Sequence, residues 1–425
     1  MIESFPPPGY IPIESTIEGI KVYKIEPQET ESLKEVVDFD CPQCGATTAY
    51  SIHDEGLSCA HCGYYEAPSK KIVGKGAQEF EFTVKTMERS AQGWGEVRRE
   101  IDCQNCGAQT SVPIESLSHT CVFCGSNKVI QRQASQDSLR PRFLIPFKIE
   151  TLQCKEIAHE WLGSEWMLPS KLREISDNVD FQGIYLPFWT FDSRTYADWK
   201  SEVGHQKTER YFKDGEWKTR TVIEWRWESG KVEKNFDDLV INGTDRLSEL
   251  HFEKIKNFNL EALSEYESKF LAGMKAKSYD ITLKDAWEKS RHKMRDITRI
   301  ACRNQASTPR IRNFSMSLDF REESWRYILL PIYLAAYEYA GKPFQVMING
   351  QNGSISGQRP VDWTKVWLVI AAILSPGLLL GIIGLITIPF VGIGAVIGIL
   401  GFILLVIGIG FGFMLFQKAN EMDDI

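Results

Sequence analysis

The stretch CPQCGATTAYSIHDEGLSCAHCG, residues 41–63, holds two Cys-x-x-Cys pairs with fourteen residues between them. A second copy, CQNCGAQTSVPIESLSHTCVFCG, starts 62 residues later with the same spacing. A Cys-x-x-Cys turn points two thiolates at one place, and a short hairpin brings two such turns together. Each copy therefore predicts a zinc ribbon that holds one Zn²⁺, two per chain. The predicted ligands are Cys41, Cys44, Cys59 and Cys62 in the first ribbon, and Cys103, Cys106, Cys121 and Cys124 in the second.

A glycine follows the second cysteine of every turn, where it frees the backbone to point its N–H groups toward sulfur. These residues are Gly45, Gly63, Gly107 and Gly125. Histidines also lie within the loops, but each site already has four sulfurs, so we expect them to be exposed loop residues. They are His53, His61 and His119.

Other uses of the cysteines fit less well. Disulfides would need export, and the acidic, proline-rich start MIESFPPPGY does not resemble a signal peptide. A thioredoxin-like site needs one Cys-x-x-Cys in a βαβ unit, not four in a periodic array. Iron in a rubredoxin-like site is chemically possible, although the loop is short for that family. Cys154 and Cys302 are isolated and are expected to be buried small hydrophobes, and the whole set fits a reducing compartment.

Charge argues against a nucleic-acid role for the ribbons. The chain has 425 residues, enough for two or three domains, and a net charge of −7. Its first 150 residues carry 15 Lys and Arg against 21 Asp and Glu. Zinc ribbons that bind nucleic acid do so with basic surfaces, so binding of DNA or RNA is disfavoured.

The C-terminus contains 52 uncharged residues between Lys365 and Lys418. A membrane helix needs about 20 apolar residues, so this segment predicts a two-helix transmembrane hairpin. We place the helices near 366–388 and 393–416, with the turn at Pro389 and Gly392. Trp363 and both lysines would lie at the interface. Pro376 is expected to kink the first helix.

Glycines at Gly-x-x-x-Gly spacing let helix backbones approach closely. We expect them to pack the two helices on each other, while a homo-oligomer stays open as an alternative. The pairs are Gly377/Gly381, Gly394/Gly398 and Gly408/Gly412.

Residues 143–360 predict a mixed α+β domain with a mostly antiparallel sheet. Three apolar–Pro–apolar segments are each expected to open a strand at the proline: LIPFKI (144–149), YLPFWTFD (185–192) and LLPIYLAAYEY (329–339). Alternating residues predict strands in EFEFTVK (79–85) and TVIEWRWES (221–229), and Asn349-Gly350 predicts a hairpin turn.

Three helices are predicted between these strands, over about 151–163, 246–273 and 283–303. In the last one an apolar stripe recurs at spacings of four and three, starting after a capping-box-like Thr282 and Asp285. The predicted stripe is Leu283, Trp287, Ser290, Met294, Ile297 and Ala301.

The predicted fold class is therefore α+β, with two tandem four-cysteine zinc ribbons, a mixed domain and a transmembrane hairpin. The predicted divisions are an N-terminal extension (1–35), ribbons (36–130), a linker (131–142), the α+β domain (143–360), the hairpin (363–417) and a tail (418–425).

No catalytic set is visible, so we expect that the chain is not an enzyme. GKGAQEF (74–80) lacks the spacing and strand context of a phosphate-binding loop. HEWLG lacks the second histidine of a metalloprotease helix, and no G-x-S-x-G elbow occurs.

Taken together, the ribbons, the segments YLPFWTFD and NGQNGSISGQRP, and the apolar tail resemble a bacterial family of membrane-anchored double zinc-ribbon proteins, the YdjG-like proteins. The resemblance covers nearly the whole chain. Members are often labelled primosomal protein N′ or replication-restart helicase. That label follows the cysteine pairs, and this chain lacks the Walker motif that helicase chemistry requires.

The resemblance implies a partner role at the membrane, beside SPFH-domain or phage-shock-type envelope proteins. We therefore expect a non-enzymatic adaptor in the bacterial inner membrane, with its soluble domains and both termini in the cytoplasm. A membrane-tethered nucleic-acid-binding protein is the alternative. It would need a basic stripe, for which the nearby candidates are Arg98, Arg99, Lys128 and Arg132.

Overall fold

The structure is a computed structural model. It describes residues 10–13, 22–25, 39–67, 72–74, 80–81, 98–113, 121–124, 126, 128–133, 139–176, 179–387 and 393–423. The predicted turn at 388–392, the segment 82–97 and His119 lie outside the described residues. The fold class is α+β, as predicted, with two four-cysteine clusters and two apolar C-terminal helices.

Three very long strands form the centre of the molecule: β11, β12 and β15. They run antiparallel, with β11 between the other two. Their bounds are Gln182–Lys213, Glu216–Asn242 and Ile311–Tyr339. Strands in globular proteins usually have about 3–10 residues. These are roughly three times as long, so their ends extend well beyond the packed core.

Shorter strands complete three sheets. The bounds are β1 Tyr10–Ile13, β2 Val22–Ile25, β3 Ala49–Ser51, β4 Gly56–Ser58, β5 Tyr65–Glu66, β6 Phe80–Glu81, β7 Arg98–Cys103, β8 Gln109–Pro113, β9 Val129–Gln133, β10 Phe143–Leu144, β13 Ser264–Glu265, β14 Lys275–Ala276, β16 Lys342–Asn349 and β17 Ile355–Gly357. β1 pairs with β2, and β3 to β5 form a second sheet. All other described strands belong to the large sheet, in which β10–β15 and β11–β14 are the parallel pairs among the described strands.

Two of the three prolines expected to open strands lie inside them, which corrects the prediction. Pro187 lies within β11 and Pro331 within β15, while Pro146 follows β10. Each internal proline lies where a neighbouring strand ends, so its missing N–H breaks no continuing ladder. The carbonyl of Pro187 accepts from Gly243 N at 3.0 Å, and that of Pro331 accepts from Gly350 N at 2.8 Å.

The core occupies both faces of the β11–β15 pair, which explains the nearly continuous apolar runs around the two prolines. On one face Trp189 and Phe191 pack in the same cluster as Trp287 of a long helix. On the other face Leu186 and Phe188 pack in a cluster with Phe252. A strand covered on both sides has no solvent face, so polar residues do not alternate there.

Four helices belong to the soluble part: α1 Thr151–Leu162, α2 Leu172–Ser176, α3 Glu249–Ile255 and α4 Leu283–Gln305. Thr282 caps α4 by accepting from the Asp285 N–H, as predicted. The predicted helix over 246–273 is wrong in length, since it consists of α3 and two 3-10 turns, Leu260–Ala262 and Ser268–Leu271.

The buried stripe of α4 departs from the prediction in its last two turns. Thr298 and Cys302 are buried, whereas Ile297 is 40% exposed. Strict alternation of four and three gives 3.5 residues per turn, but a straight α-helix has 3.6. The mismatch amounts to about half a residue over five turns, enough to bury Thr298 and Cys302 in place of Ile297 and Ala301.

The C-terminal helices are α5 Trp363–Thr387 and α6 Ile393–Asp423, and both are long and apolar enough to cross a membrane. They pack through glycines, of which Gly377 and Gly398 belong to the predicted pairs and Gly384 does not. A Cβ at Gly377 would lie 2.7 Å from the backbone nitrogen of Leu405, and one at Gly384 would lie 2.5 Å from that of Gly398. Contacts this close require glycine at these positions.

The helix ends are joined to the soluble body through residues 165–170. Lys365 of α5 donates to the carbonyl of Leu168 at 2.7 Å, and Lys418 of α6 lies 3.4 Å from Glu165. Met167 is fully buried in a cluster with Val366, Ile370 and Ala419. Both helices therefore meet the body at one packed junction.

Candidate metal centres

The eight predicted cysteines come together in two groups of four, and within each group all sulfurs lie within 4.8 Å of one another. In the first group Cys41–Cys62 and Cys44–Cys59 Sγ distances are 3.5 and 3.6 Å. In the second, Cys103–Cys124 and Cys106–Cys121 are both 3.6 Å. A tetrahedral zinc with Zn–S bonds of about 2.3 Å separates its sulfurs by about 3.8 Å. The arrangement suits zinc, and the distances exclude disulfides.

The turns that present the sulfurs share one backbone geometry. The N–H of the glycine returns to the carbonyl of the first cysteine in three turns: Gly45 to Cys41, Gly63 to Cys59 and Gly107 to Cys103, at 2.8–2.9 Å. These glycines have φ between 68° and 75°, in the left-handed region that L-residues avoid. The expected role of glycine at these positions is confirmed for the three, and Gly125 lies outside the described residues.

Backbone amides prepare one thiol in each group for deprotonation. The N–H groups of Cys62 and His61 lower the pKa of Cys59 to about 6. Burial would raise the pKa of Cys103, but the N–H groups of Cys106 and Asn105 outweigh it and lower that pKa to about 7. Since the thiolate is the metal ligand, each group offers a sulfur that is ionised near neutral pH.

An amide side chain contacts the last cysteine at the same position of each ribbon. The Gln43 side chain lies 3.7 Å from Cys62 Sγ, and the Asn105 amide lies 3.6 Å from Cys124 Sγ. The Asn105 N–H donates to its sulfur and would orient a metal-bound thiolate, whereas the Gln43 contact is made by the amide oxygen and accepts from the Cys62 thiol. His53 and His61 are exposed, as predicted, and neither is among the clustered ligand atoms.

The first ribbon is a separate three-stranded sheet that touches the body at a few points. Tyr50 N donates to Ala272 O at 3.1 Å, and its ring lies 5.4 Å from that of Phe270. Lys269 pairs with Glu66 at 2.5 Å. Cys44 and Cys62 are exposed, so half of this site faces solvent.

The second ribbon is continuous with the large sheet. Ser111 of β8 pairs with Ala276 of β14, and β14 pairs with β11. Its buried Val122 and Phe123 belong to the same core cluster as Phe188. In this ribbon Cys103 and Cys121 are buried, and Cys106 and Cys124 are half-buried.

Cations from the body contact the second ribbon beside its metal site. Arg246 donates to the carbonyls of Cys106 at 2.6 Å and Gly107 at 3.0 Å. Lys277, 2% exposed, donates to Gln109 O at 3.1 Å and pairs with Asp280 at 2.8 Å. Each cation also pairs with a carboxylate, Arg246 with Asp245 at 3.2 Å and Lys277 with Asp280, so both hold the ribbon by hydrogen bonds to its backbone rather than by offsetting the charge of about −2 that four thiolates leave around Zn²⁺.

Sequence reasoning did not find Arg246 or Lys277. Each lies more than a hundred residues from the ribbon that it contacts, and neither belongs to a motif. No local periodicity marks such residues before the tertiary fold is known.

A buried charge cluster near the middle of the long strands was also missed. Arg326 is fully buried, 2.6 Å from Asp238 and 3.6 Å from Asp192. It lies beside the register shifts at Asp192 that interrupt both pairings of β11. We assign it to the fold, because a buried arginine needs paired carboxylates.

The uncharacterized protein YdjG of Bacillus subtilis (strain 168) is 21% identical over 338 residues, which span 78% of this chain and 92% of that protein. No protein-family model matches the chain, and no solved structure matches it.

Proposed function

We propose that this protein is a membrane-anchored zinc-ribbon adaptor that recruits an envelope-associated protein to the cytoplasmic face of the membrane. The two tetracysteine sites and the two-helix segment fit a membrane-anchored zinc-binding protein. The adaptor role, the absence of enzymatic activity and the orientation belong to the proposal.

The observation that carries the proposal is the packed junction at residues 165–170. Because Lys365 and Lys418 bind the same short segment, the body has no free linker to its anchor. The large sheet and the second ribbon are continuous with that body. A surface held rigidly at a fixed place loses little freedom when a partner binds, which favours recruitment.

The side-chain cluster that most resembles a catalytic triad lacks the geometry of one, which supports a non-enzymatic role. Ser307, His205 and Glu228 lie together, but Glu228 and Ser307 both contact the same ring nitrogen, Nε2. A catalytic triad needs the carboxylate and the hydroxyl on opposite nitrogens.

The proposed orientation places the ribbons in a reducing compartment and crosses the membrane twice. A cysteine introduced by Phe390→Cys tests it, in a background where Cys154 and Cys302 are replaced by serine. Labelling from outside intact cells is expected. Labelling only after the cells are permeabilised would show a re-entrant hairpin and reject two full spans.

A detergent pull-down with mass spectrometry tests recruitment. The chain is compared with a Cys44→Ser, Cys62→Ser variant, which disables the exposed half of the first ribbon, and with a chain lacking 363–425. We expect a defined envelope protein with the wild type, for which the family resemblance suggests an SPFH-domain or phage-shock-type protein. The truncated chain should carry the same partner into the soluble fraction.

The nucleic-acid alternative gives a different result in the same experiment. If it held, nuclease treatment would release the co-purifying material, and Arg99→Glu with Lys128→Glu would abolish capture. Recovery of no specific protein from the membrane with the wild-type chain would reject the adaptor proposal.

A further inference from the structure

The long hairpin of β11 and β12 projects beyond the rest of the sheet. The pairing of β15 with β11 ends at Val203 and Ile311. Beyond that point β11 and β12 pair only with each other among the described residues, up to Lys213 and Glu216. Asp214 and Gly215 close the hairpin with φ of 58° and 81°, the two positive values of a two-residue type I′ turn.

This turn fixes which backbone groups point outward. In a two-residue hairpin the flanking pair, Lys213 and Glu216, exchanges both hydrogen bonds, and the next pair exchanges none. The odd-numbered residues of β12 therefore direct their N–H and C=O groups away from β11. Consistent with this, the Gln305 amide donates to the outward carbonyl of Lys231 at 3.3 Å.

From 217 to 229 these outward groups form an open strand edge. In the part of the chain that the structure describes, no residue outside β11 bonds to this stretch of backbone. An edge of this length is an available template for pairing with another strand.

The same odd-numbered residues carry an exposed apolar face. Trp217 is 71% exposed, Ile223 43% and Trp227 55%, while Trp225 is half-buried. Phe212, opposite Trp217 on β11, is 61% exposed and its ring lies 5.4 Å from the indole. Contiguous exposed aromatics beside an open edge mark an interaction surface.

Cations surround these aromatic rings. Lys200 Nζ lies 4.6 Å from the ring centroid of Trp227, and the guanidinium of Arg312 lies 4.1 Å from that of Trp225. Arg310 contacts Gly204 on this face, and Glu202 pairs with Arg312. Three cations meet one carboxylate here, although the chain as a whole carries −7. The face therefore favours an anionic partner.

Lipid and nucleic acid fit this face less well than a peptide. β11 begins at Gln182, opposite Leu334, near the end of β15 that bonds Gln358 before the anchor. The face starts at Lys200, opposite Ser229, roughly 60 Å of strand from that end, so it is distant from the anchor along the sheet. The cations cover one indole face of Trp225 and of Trp227, where a base would stack.

We propose that the open edge of β12 from Trp217 to Ser229 binds an extended segment of a partner protein in which every second residue is acidic or apolar, so that these side chains all lie against the aromatic and cationic face. This deepens the proposed function, because it gives the recruited protein a binding site. Main-chain bonds along the edge would supply affinity, and the aromatic and cationic face would supply specificity. The chain already uses this mode once: β6, from the alternating EFEFTVK, adds to β15 at Trp325.

The test measures binding of a defined peptide to the full-length chain in nanodiscs by fluorescence anisotropy. The probe is a labelled decapeptide in which glutamate and valine take turns at every second position, with threonine between them. Thr221→Pro removes one outward N–H while sparing the ladder to β11, since proline is tolerated on an edge that faces solvent. The matched control, Thr221→Val, keeps that N–H. We expect the proline variant to bind the peptide at least tenfold more weakly than the wild type. The control variant should bind it as tightly as the wild type.

Two further arms address folding and charge. Trp225→Ala with Trp227→Ala removes the aromatic face without touching the backbone edge, and should also weaken binding at least tenfold at unchanged zinc content and circular dichroism. A peptide with lysine in place of glutamate should bind at least tenfold more weakly. Equal binding of the glutamate peptide to wild type and Thr221→Pro would overturn the proposal.

Other occupants give distinct results. A 20-residue oligothymidylate and vesicles with anionic lipid are tested as competitors. If either binds more tightly than the peptide and displaces it from this face, the proposal is overturned in favour of nucleic acid or lipid. In cells, recruitment that survives Thr221→Pro would contradict the inference and leave the proposed function standing. A wild-type chain that recruits nothing, yet binds the peptide as expected, would reject the function and retain the site.

Discussion

The two ribbons have the same cysteine spacing and nearly the same sulfur geometry, yet they are built into the molecule differently. The first is a sheet of its own, with Cys44 and Cys62 exposed, and it contacts the body through Tyr50, which is buried in the main core, through the 3-10 turn Ser268–Leu271 and through Glu150. The second extends the large sheet and contributes Val122 and Phe123 to its core.

The cysteine spacing therefore determines where a metal can bind, whereas the contacts of each ribbon with the body determine how much of the molecule that metal would stabilise. The second ribbon contributes side chains to the hydrophobic core of the body, so a metal that holds this ribbon folded would stabilise the whole body. The first ribbon would stabilise little beyond itself, which leaves its exposed turns available as a surface. Each prediction below tests this contrast.

The largest effect is expected from removing one buried ligand of each ribbon. Cys103→Ser should unfold the second ribbon and the sheet that it extends, because structural zinc supplies on the order of 10 kcal/mol to small ribbons and domains are stable by only about 5–15 kcal/mol. Cys41→Ser should unfold the first ribbon alone. Hydrogen exchange in β11 and α4 measures the difference, and equal loss of protection in both variants would remove the contrast.

The next effect concerns metal release. With a chelator in excess, zinc should leave in two phases of equal size, and the faster phase should come from the first ribbon, whose Cys44 and Cys62 are exposed. A rate ratio of roughly a hundredfold corresponds to about 2.7 kcal/mol. A chromogenic chelator follows the phases, and the Cys41→Ser variant should lack the fast one. A single phase in the wild type would show that the two sites are equally protected.

Much of this contrast was invisible in the sequence, and the reason is physical. The metal sites depend on spacing within 22 residues and the helix α4 on local periodicity, so both could be predicted. The docking of the second ribbon depends on Arg246, 140 residues from Cys106, which no local pattern indicates.

The long strands illustrate a second limit. Pro187 and Pro331 were expected to begin strands, but the neighbouring strands end beside them, a relation that only the sheet register reveals. The open edge of β12 was predicted as a strand, while its exposure depends on how far β15 extends along β11.

The third prediction tests how the second ribbon is held to the body. Asp280→Asn leaves Lys277, 2% exposed, without its anionic partner. Breaking a fully buried pair costs about 3–5 kcal/mol. Asp280 is 29% exposed, so we expect about 2 kcal/mol after allowing for solvent screening. Chemical denaturation measures it, and Asp319→Asn, in an exposed pair with Arg321, is the control with little expected change.

This cost should depend on pH. Burial alone would raise the pKa of Asp280, but hydrogen bonds from Lys277 and Thr244 outweigh it and hold that pKa below the usual 3.8. A depressed carboxyl pKa stabilises the fold above the unfolded value and loses that effect as the pH falls through the folded value. The difference between wild type and variant should therefore be constant near neutral pH and shrink below about pH 4. A difference that grows in acid would contradict the assignment.

The smallest effect is expected at Arg246, whose guanidinium holds the turn at Cys106 and Gly107 through two carbonyls. Arg246→Ala should cost about 1 kcal/mol, the usual net value of such hydrogen bonds, and speed zinc release from the second ribbon roughly fivefold. Lys269→Ala, which removes the pair with Glu66, is the matched change at the first ribbon and should leave the slow phase unaltered. If Arg246→Ala changes only the fast phase, the phases have been assigned to the wrong ribbons. If it changes neither, the arginine fixes the position of the turn without protecting its metal, and the slow release must come from burial of Cys103 and Cys121 alone.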